Sequence, residues 1–147
     1  MAYRRIHNKG DWRHEEAVAA STITPGMLLE VTTSGTVQAH STEGGRAERL
    51  AAAEDALQGK TVDNDYSADD VVSMMLPAPG SVVNLLMAAG ETGSPGQEVM
   101  SAGDGTLKLV ANASSGVTVE QVVGRIDASE ATFTALAANA LKAIRIV

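Results

Sequence analysis

The segment VVSMMLPAPGSVVNLLMAAG, Val71 to Gly90, runs twenty residues without a charge, and what it can become limits the whole chain. Its length alone would permit a membrane helix. Pro77, Pro79 and Gly80 stand at its centre, however, where the prolines remove amide donors and all three disfavour a helix, and each half is only strand length. The segment therefore predicts a buried strand, a tight turn at PAPG and a partner strand, with no membrane span.

The same punctuation recurs on both sides. TPGMLLEV places a Pro-Gly turn before a strand at Met27 to Val31; TTSGT is the next turn, and VQAH the returning strand. Downstream, GETGSPGQEVMSAGDGTLKLV sets turns at Gly90 to Gly96 and Gly103-Asp104-Gly105, with strands at Glu98 to Ser101 and Thr106 to Val110. VTVEQVVGRID has strand character after the NASSG loop. FTALAANALKAIRIV can begin as a helix, but its AIRIV ending predicts a strand that pairs back into the sheet. Many short strands with Gly and Pro turns predict an all-β barrel or sandwich.

Two readings compete at HSTEGGRAERLAAAEDALQGK. Ala, Leu and Glu favour a helix by propensity, whereas a loop tip at Glu43 to Gly45 with a strand over Arg49 to Ala53 matches the surrounding rhythm of turns. The rhythm favours the strand. Met1 to Ser21 shows neither a clear period of two nor a convincing helix start, which predicts an extended N-terminal arm over 1–21 and a β-rich domain over 22–147.

Charge divides the chain in the same way. The net charge is -7, yet residues 1–14 hold Arg4, Arg5, Lys9 and Arg13 against Asp11 alone, so a basic leader precedes an acidic body. An acidic body repels nucleic acid and directs the leader toward an acidic protein surface. With Trp12, Tyr3, Tyr66 and Phe133 as the only aromatics, the core must be built of small aliphatic groups, and few platforms remain for stacking bases. The absence of cysteine removes disulfides, thiolate nucleophiles and thiolate zinc sites together.

The chemical motifs test negative. LQGKTVDNDYSADD, Leu57 to Asp70, contains Gly-Lys-Thr, but a phosphate loop needs a glycine six positions before the lysine, and that position is Glu54. Carboxylates at Glu54, Asp55, Asp63 and Asp65 would also repel a triphosphate. Counting a calcium loop from Asp63 puts Ala68 where glycine and Met74 where glutamate are required. His7 and His14 in the leader and His40 near a hairpin end are the only imidazoles, and none lies in a recognisable triad motif; His40 is expected at a surface or strand edge. No catalytic residue, metal site or cofactor is expected, and the chain is read as a non-enzyme.

LPAPGSVVNLLMAAGETGSPGQEVMS resembles the strand repeat of biotinyl and lipoyl carrier domains. Those domains display a modified lysine at a hairpin tip, whereas Lys108 lies inside a predicted strand without the flanking residues. A β-rich carrier or small-molecule-binding domain, modified at Lys60 or Lys108, stands as the alternative function.

Over more than half its length the chain resembles the head decoration, or capsid cement, proteins of tailed bacteriophages. The resemblance is carried in order by Pro25-Gly26, Glu54-Asp55, Gly59-Lys60, Tyr66, Asp69 and Asp104-Gly105-Thr106. In that pattern Gly59-Lys60 is a positive-φ turn between strands. The resemblance implies a structural virion protein on the outer surface of a mature head, trimeric at threefold or quasi-threefold positions, clamping neighbouring copies of the major capsid protein. On this expectation Arg4, Arg5, Lys9 and Arg13 pair with capsid carboxylates, while Ile6 and Trp12 anchor in apolar pockets.

Overall fold

The computed structural model describes residues 5–114 and 116–147. It is all-β: strands β1 (His7–Lys9), β2 (Trp12–Val18), β3 (Leu29–Val31), β4 (Val37–Ala39), β5 (Ala51–Ala52), β6 (Val71–Pro77), β7 (Val82–Met87), β8 (Glu98–Ser101), β9 (Leu107–Leu109), β10 (Val122–Ile126) and β11 (Ala140–Ile146). The helical content among the described residues is confined to single 3-10 turns, and no helix there is long and apolar enough to cross a membrane.

Five strands close a barrel in the order β7-β11-β10-β8-β9, the circuit being completed by a parallel pairing of Met87 with Leu107. Its interior is aliphatic, with Val83, Leu85, Met87, Val99, Leu107, Val123, Ile144 and Ile146 in one cluster, and Phe133 packs into the same cluster. A second, smaller circuit runs β2-β6-β5 and continues through the bridge Leu28 to Ala51 into the β3–β4 hairpin, then returns through the bridge Ala19 to Val37. It encloses Ile23, Leu29, Val37, Leu50, Tyr66, Val72 and Met74. The Tyr66 hydroxyl donates to the Ala53 carbonyl at 2.7 Å, and burial pushes its pKa up to about 12, so it remains a donor at any physiological pH.

The two circuits explain why residues 46–57 are not a helix. Leu50 and Ala52 face the smaller core, and Ala51 between them faces the larger one. Consecutive residues buried on opposite sides require a period of two, and tertiary packing overrides the helical propensity of the Ala-rich run. The strand is short, however, and a single 3-10 turn at Ala56–Gln58 ends at Gly59, whose φ of 71° is the positive-φ turn expected there. The Phe133 segment is likewise not helical: Gly93 and Phe133 exchange two backbone hydrogen bonds of 2.9 Å, which leads the chain into β11.

Two expectations need correction. PAPG does not fold β6 and β7 into a hairpin, since β6 belongs to the smaller circuit and β7 to the barrel. The chain turns at Ala78–Ser81, closed by Ser81 N–H to the Ala78 carbonyl at 3.0 Å, and passes from one sheet to the other. Nor do the described residues of the expected arm, 5–21, stand apart from the body. β2 pairs with β6 in register from Trp12–Pro77 to Val18–Val71, and β1 pairs with β7. The N-terminal strand thus accompanies the β6–β7 ribbon across both sheets. It bends with the ribbon at Gly10, where a φ of +99° and a position 2.8 Å from the Ser81 Cα leave no space for a side chain. The physical reason is that β6 and β7 each present a row of backbone groups that must be paired, and residues 7–18 pair them.

Asp127 ties the ends of β10 and β11 together. Its side chain is buried, which pushes its pKa up, but hydrogen bonds from the Ser129 hydroxyl and amide, the Arg145 guanidinium at 2.8 Å and the positive field of Lys9 outweigh burial and hold it at about 2. A folded-state pKa below the ordinary 3.8 contributes stability above that value and loses it as pH falls toward 2. The gap in unfolding free energy between wild type and Asp127→Asn is therefore expected to be widest near neutrality, on the order of 2 kcal/mol for a charge-assisted network, and to show as a difference in melting temperature. It should close between about pH 4 and pH 2. A gap that stays constant over this range, followed by thermal denaturation, would show that the carboxylate is not held ionised.

Candidate functional site

A cleft of about 620 Å³ opens between β2, β6 and the Ala53–Gln58 segment. Alternation along β2 sends Trp12, His14 and Glu16 into it, and the β6 register sets Val71 and Ser73 beside them. Leu57, on the 3-10 turn, forms the opposite wall and is 96% exposed. Trp12 is 42% exposed and stands between two imidazoles, with ring centroids 5.8 Å from His7 and 6.2 Å from His14. His14 Nε2 lies 3.0 Å from Ser73 Oγ and 3.7 Å from Glu16 Oε1, which fixes the ring against the sheet. Glu54, Asp55 and Arg5 complete the polar rim, and Glu54 Oε2 accepts the Ile6 N–H at 3.1 Å.

The surface around this cleft is unusually apolar. Trp12, Leu57 and Val71 line it, and Val18, 40% exposed, is paired with Val71 at the end of the same ribbon. Four of the large exposed hydrophobic residues among those described thus lie on or beside one feature. Scattered apolar residues need no explanation, but a cluster rimmed by charge marks an interaction surface.

The expected partner-binding residues divide. Arg5 and Trp12 meet at the cleft. Lys9 and Arg13 are exposed but do not line it, and Arg13 pairs with Glu15 at 3.0 Å. Ile6 is fully buried within the barrel cluster, where it cannot reach a partner's pocket; its apolar side chain is core because β1 and its approach cover β7. Arg4 lies outside the described residues. His7, His14, Glu16, Leu57 and Val71 were not anticipated as a surface, because only the pairing of β2 and β5 on β6 and of β1 on β7 brings them together.

His40 also departs from expectation, being buried instead of exposed. Its Nδ1 is 2.7 Å from Ser101 Oγ, and its Nε2 is 3.2 Å from the Arg46 carbonyl and 3.9 Å from Glu30 Oε2. Ser, His and Glu are thus aligned as in a hydrolytic triad, but with the two ring nitrogens exchanged. Ser101 is fully buried, so no substrate could approach its hydroxyl. The group instead joins β4 of the smaller circuit to β8 of the barrel. Among the described residues no three His, Asp or Glu side chains converge as a metal site, and Lys108 is held in β9 by Glu43 at 2.9 Å.

No protein-family model matches the chain, and no curated protein matches it.

Proposed function

We propose that this chain is a capsid decoration protein, a non-enzymatic component of a phage virion that binds the outer face of the mature head and clamps neighbouring major capsid subunits. The observation that carries the proposal is the gathering of exposed Trp12, Leu57, Val71 and Val18 about one cleft, on a strand hydrogen-bonded into the body. An aromatic anchor held by its neighbours loses little conformational entropy on binding, which is the property of an interface hot spot. A β-body of small aliphatic side chains carrying such a surface is suited to a clamp that must transmit load without rearranging.

On this reading the protein acts as a trimer at threefold or quasi-threefold positions. Each trimer presents three copies of the surface, and after the first engages the others bind at high effective concentration. Modest affinity per site is then sufficient. Exposed Lys9 and Arg13 add long-range attraction to an acidic shell, with the salt dependence that follows.

The test is co-sedimentation with emptied mature heads. Trp12→Ala is expected to lower affinity at least tenfold, about 1.4 kcal/mol per site, while its melting temperature stays near that of wild type because the ring is half solvated. Full retention of head binding by this variant would remove the cleft from the function.

A further inference from the structure

We infer that the cleft receives a cationic side chain, a lysine or arginine carried on an extended segment of the bound partner. The inference rests on the decoration reading for the identity of that partner, but its chemistry follows from the lining. Among the described residues that line it, Glu16, Glu54 and Asp55 stand against Arg5 as the one fixed cation, so this lining is net anionic although the leader that builds it is basic. Among the described residues Asp55 has no ion pair, and the nearest imidazole to Glu16 is 3.7 Å away.

Apolar and anionic surface are adjacent here, and one type of ligand satisfies both. A lysine or arginine lays its methylene stem on apolar groups such as Leu57 and Val71 and keeps its charged head at the rim. Tryptophan is the strongest aromatic partner for a cation, Trp12 is 42% exposed at the cleft, and the neighbouring carboxylates add to the same attraction. A purely apolar segment would desolvate three carboxylates without pairing them, and an acidic one would be repelled.

Trp12 is the only tryptophan in the chain, so its fluorescence reports on the site without labelling. The probes are three blocked pentapeptides, acetyl-Ser-Val-X-Val-Ser-amide, with X as lysine, norleucine or glutamate. The lysine peptide is expected to give a saturable change at millimolar concentration, with the other two at least tenfold weaker. Glu16→Gln combined with Asp55→Asn, the first exposed and the second half-buried without an ion pair among the described residues, should weaken the lysine peptide about tenfold without lowering the melting temperature. Equal response to all three peptides, no saturation with lysine up to about 10 mM, or unchanged affinity in the double variant would each overturn the inference. Head binding by the wild-type protein separates the two proposals. Protein that sediments with heads but ignores the lysine peptide refutes only the cationic ligand, whereas protein that binds the peptide and not the heads refutes only the decoration role.

Discussion

Removal of residues 1–18 is expected to abolish cooperative folding of the remainder. The sequence pattern alone predicts the opposite, a binding arm whose loss leaves a folded body, and the difference follows from pairing. β2 supplies a ladder of seven residue pairs to β6, and β1 continues along β7. Without them β6 keeps its two-residue pairing with β5 and the Ala53 N–H bond to the Ser73 carbonyl, and β7 loses the cover over Asn84, whose amide donates to the Arg5 carbonyl at 2.8 Å. Ile6 is also withdrawn from the barrel cluster, a loss of about 2–5 kcal/mol by itself. Together these approach the whole stability of a domain of this size, on the order of 5–15 kcal/mol. Thermal denaturation followed by circular dichroism decides the matter: a truncated protein that still melts cooperatively within a few degrees of wild type would mean that the N-terminal strands are accessory.

The second large effect is expected at Gly124. It sits in β10 at an irregularity opposite β8, where Val122 faces Met100 and Gly124 faces Val99. A Cβ there would press on the Arg145 carbonyl oxygen of β11 and stand 2.8 Å from Ile144 Cγ2. Backbone and a branched core residue cannot both yield, so Gly124→Ala must part β10 from β11 at the barrel seam. The expected loss is about 3 kcal/mol, at the upper end for overpacking. Gly116→Ala is the matched control, because among the described residues nothing lies within 4 Å of its Cβ position. Removing backbone freedom from the unfolded chain there should leave stability unchanged or raise it by up to about 1 kcal/mol. Urea midpoints for the two variants that move together would refute the packing of the β10–β11 seam.

His40 illustrates how composition misleads about catalysis. Its contact with Ser101, and Glu30 beyond it, have the constituents of a nucleophilic triad at separations of 2.7 and 3.9 Å. Burial decides between chemistry and architecture, since a hydroxyl with no exposed surface can order two strands but cannot attack a substrate. Glu30 is an ordinary carboxylate in the same sense: hydrogen bonds from Ser41 and Gln38 lower its pKa and keep it charged on the β3–β4 hairpin.

Much of the strand order was legible in the chain because turns are local. Gly59, Gly80, Gly90, Gly96 and Gly103 all have positive φ, and each stands where the sequence places a turn. β8 begins and ends at the predicted residues, and the AIRIV ending does pair back, with Ile144 facing Val83 in β7. The site was less legible. Arg5 and Trp12 stand out by charge and aromaticity, but His14, Glu16 and Val71 acquire a common face only when β2 is laid on β6, some sixty residues away in sequence, and His7 joins them from β1. Ile6 gave no sign that it belongs to the core, since a lone isoleucine among Arg4, Arg5, His7 and Asn8 shows no alternation.

Sequence by itself determined the class of the fold: proline and glycine set backbone dihedrals residue by residue, and short apolar runs between them can be satisfied only as strands. Tertiary structure alone decided that the N-terminal segment is part of the body, that β6 and β7 part into separate sheets, and that an aromatic cleft lies between β2 and Leu57. Those outcomes depend on which distant backbone edge each strand must pair, a long-range choice made by the joint burial of two cores and carried by no single residue.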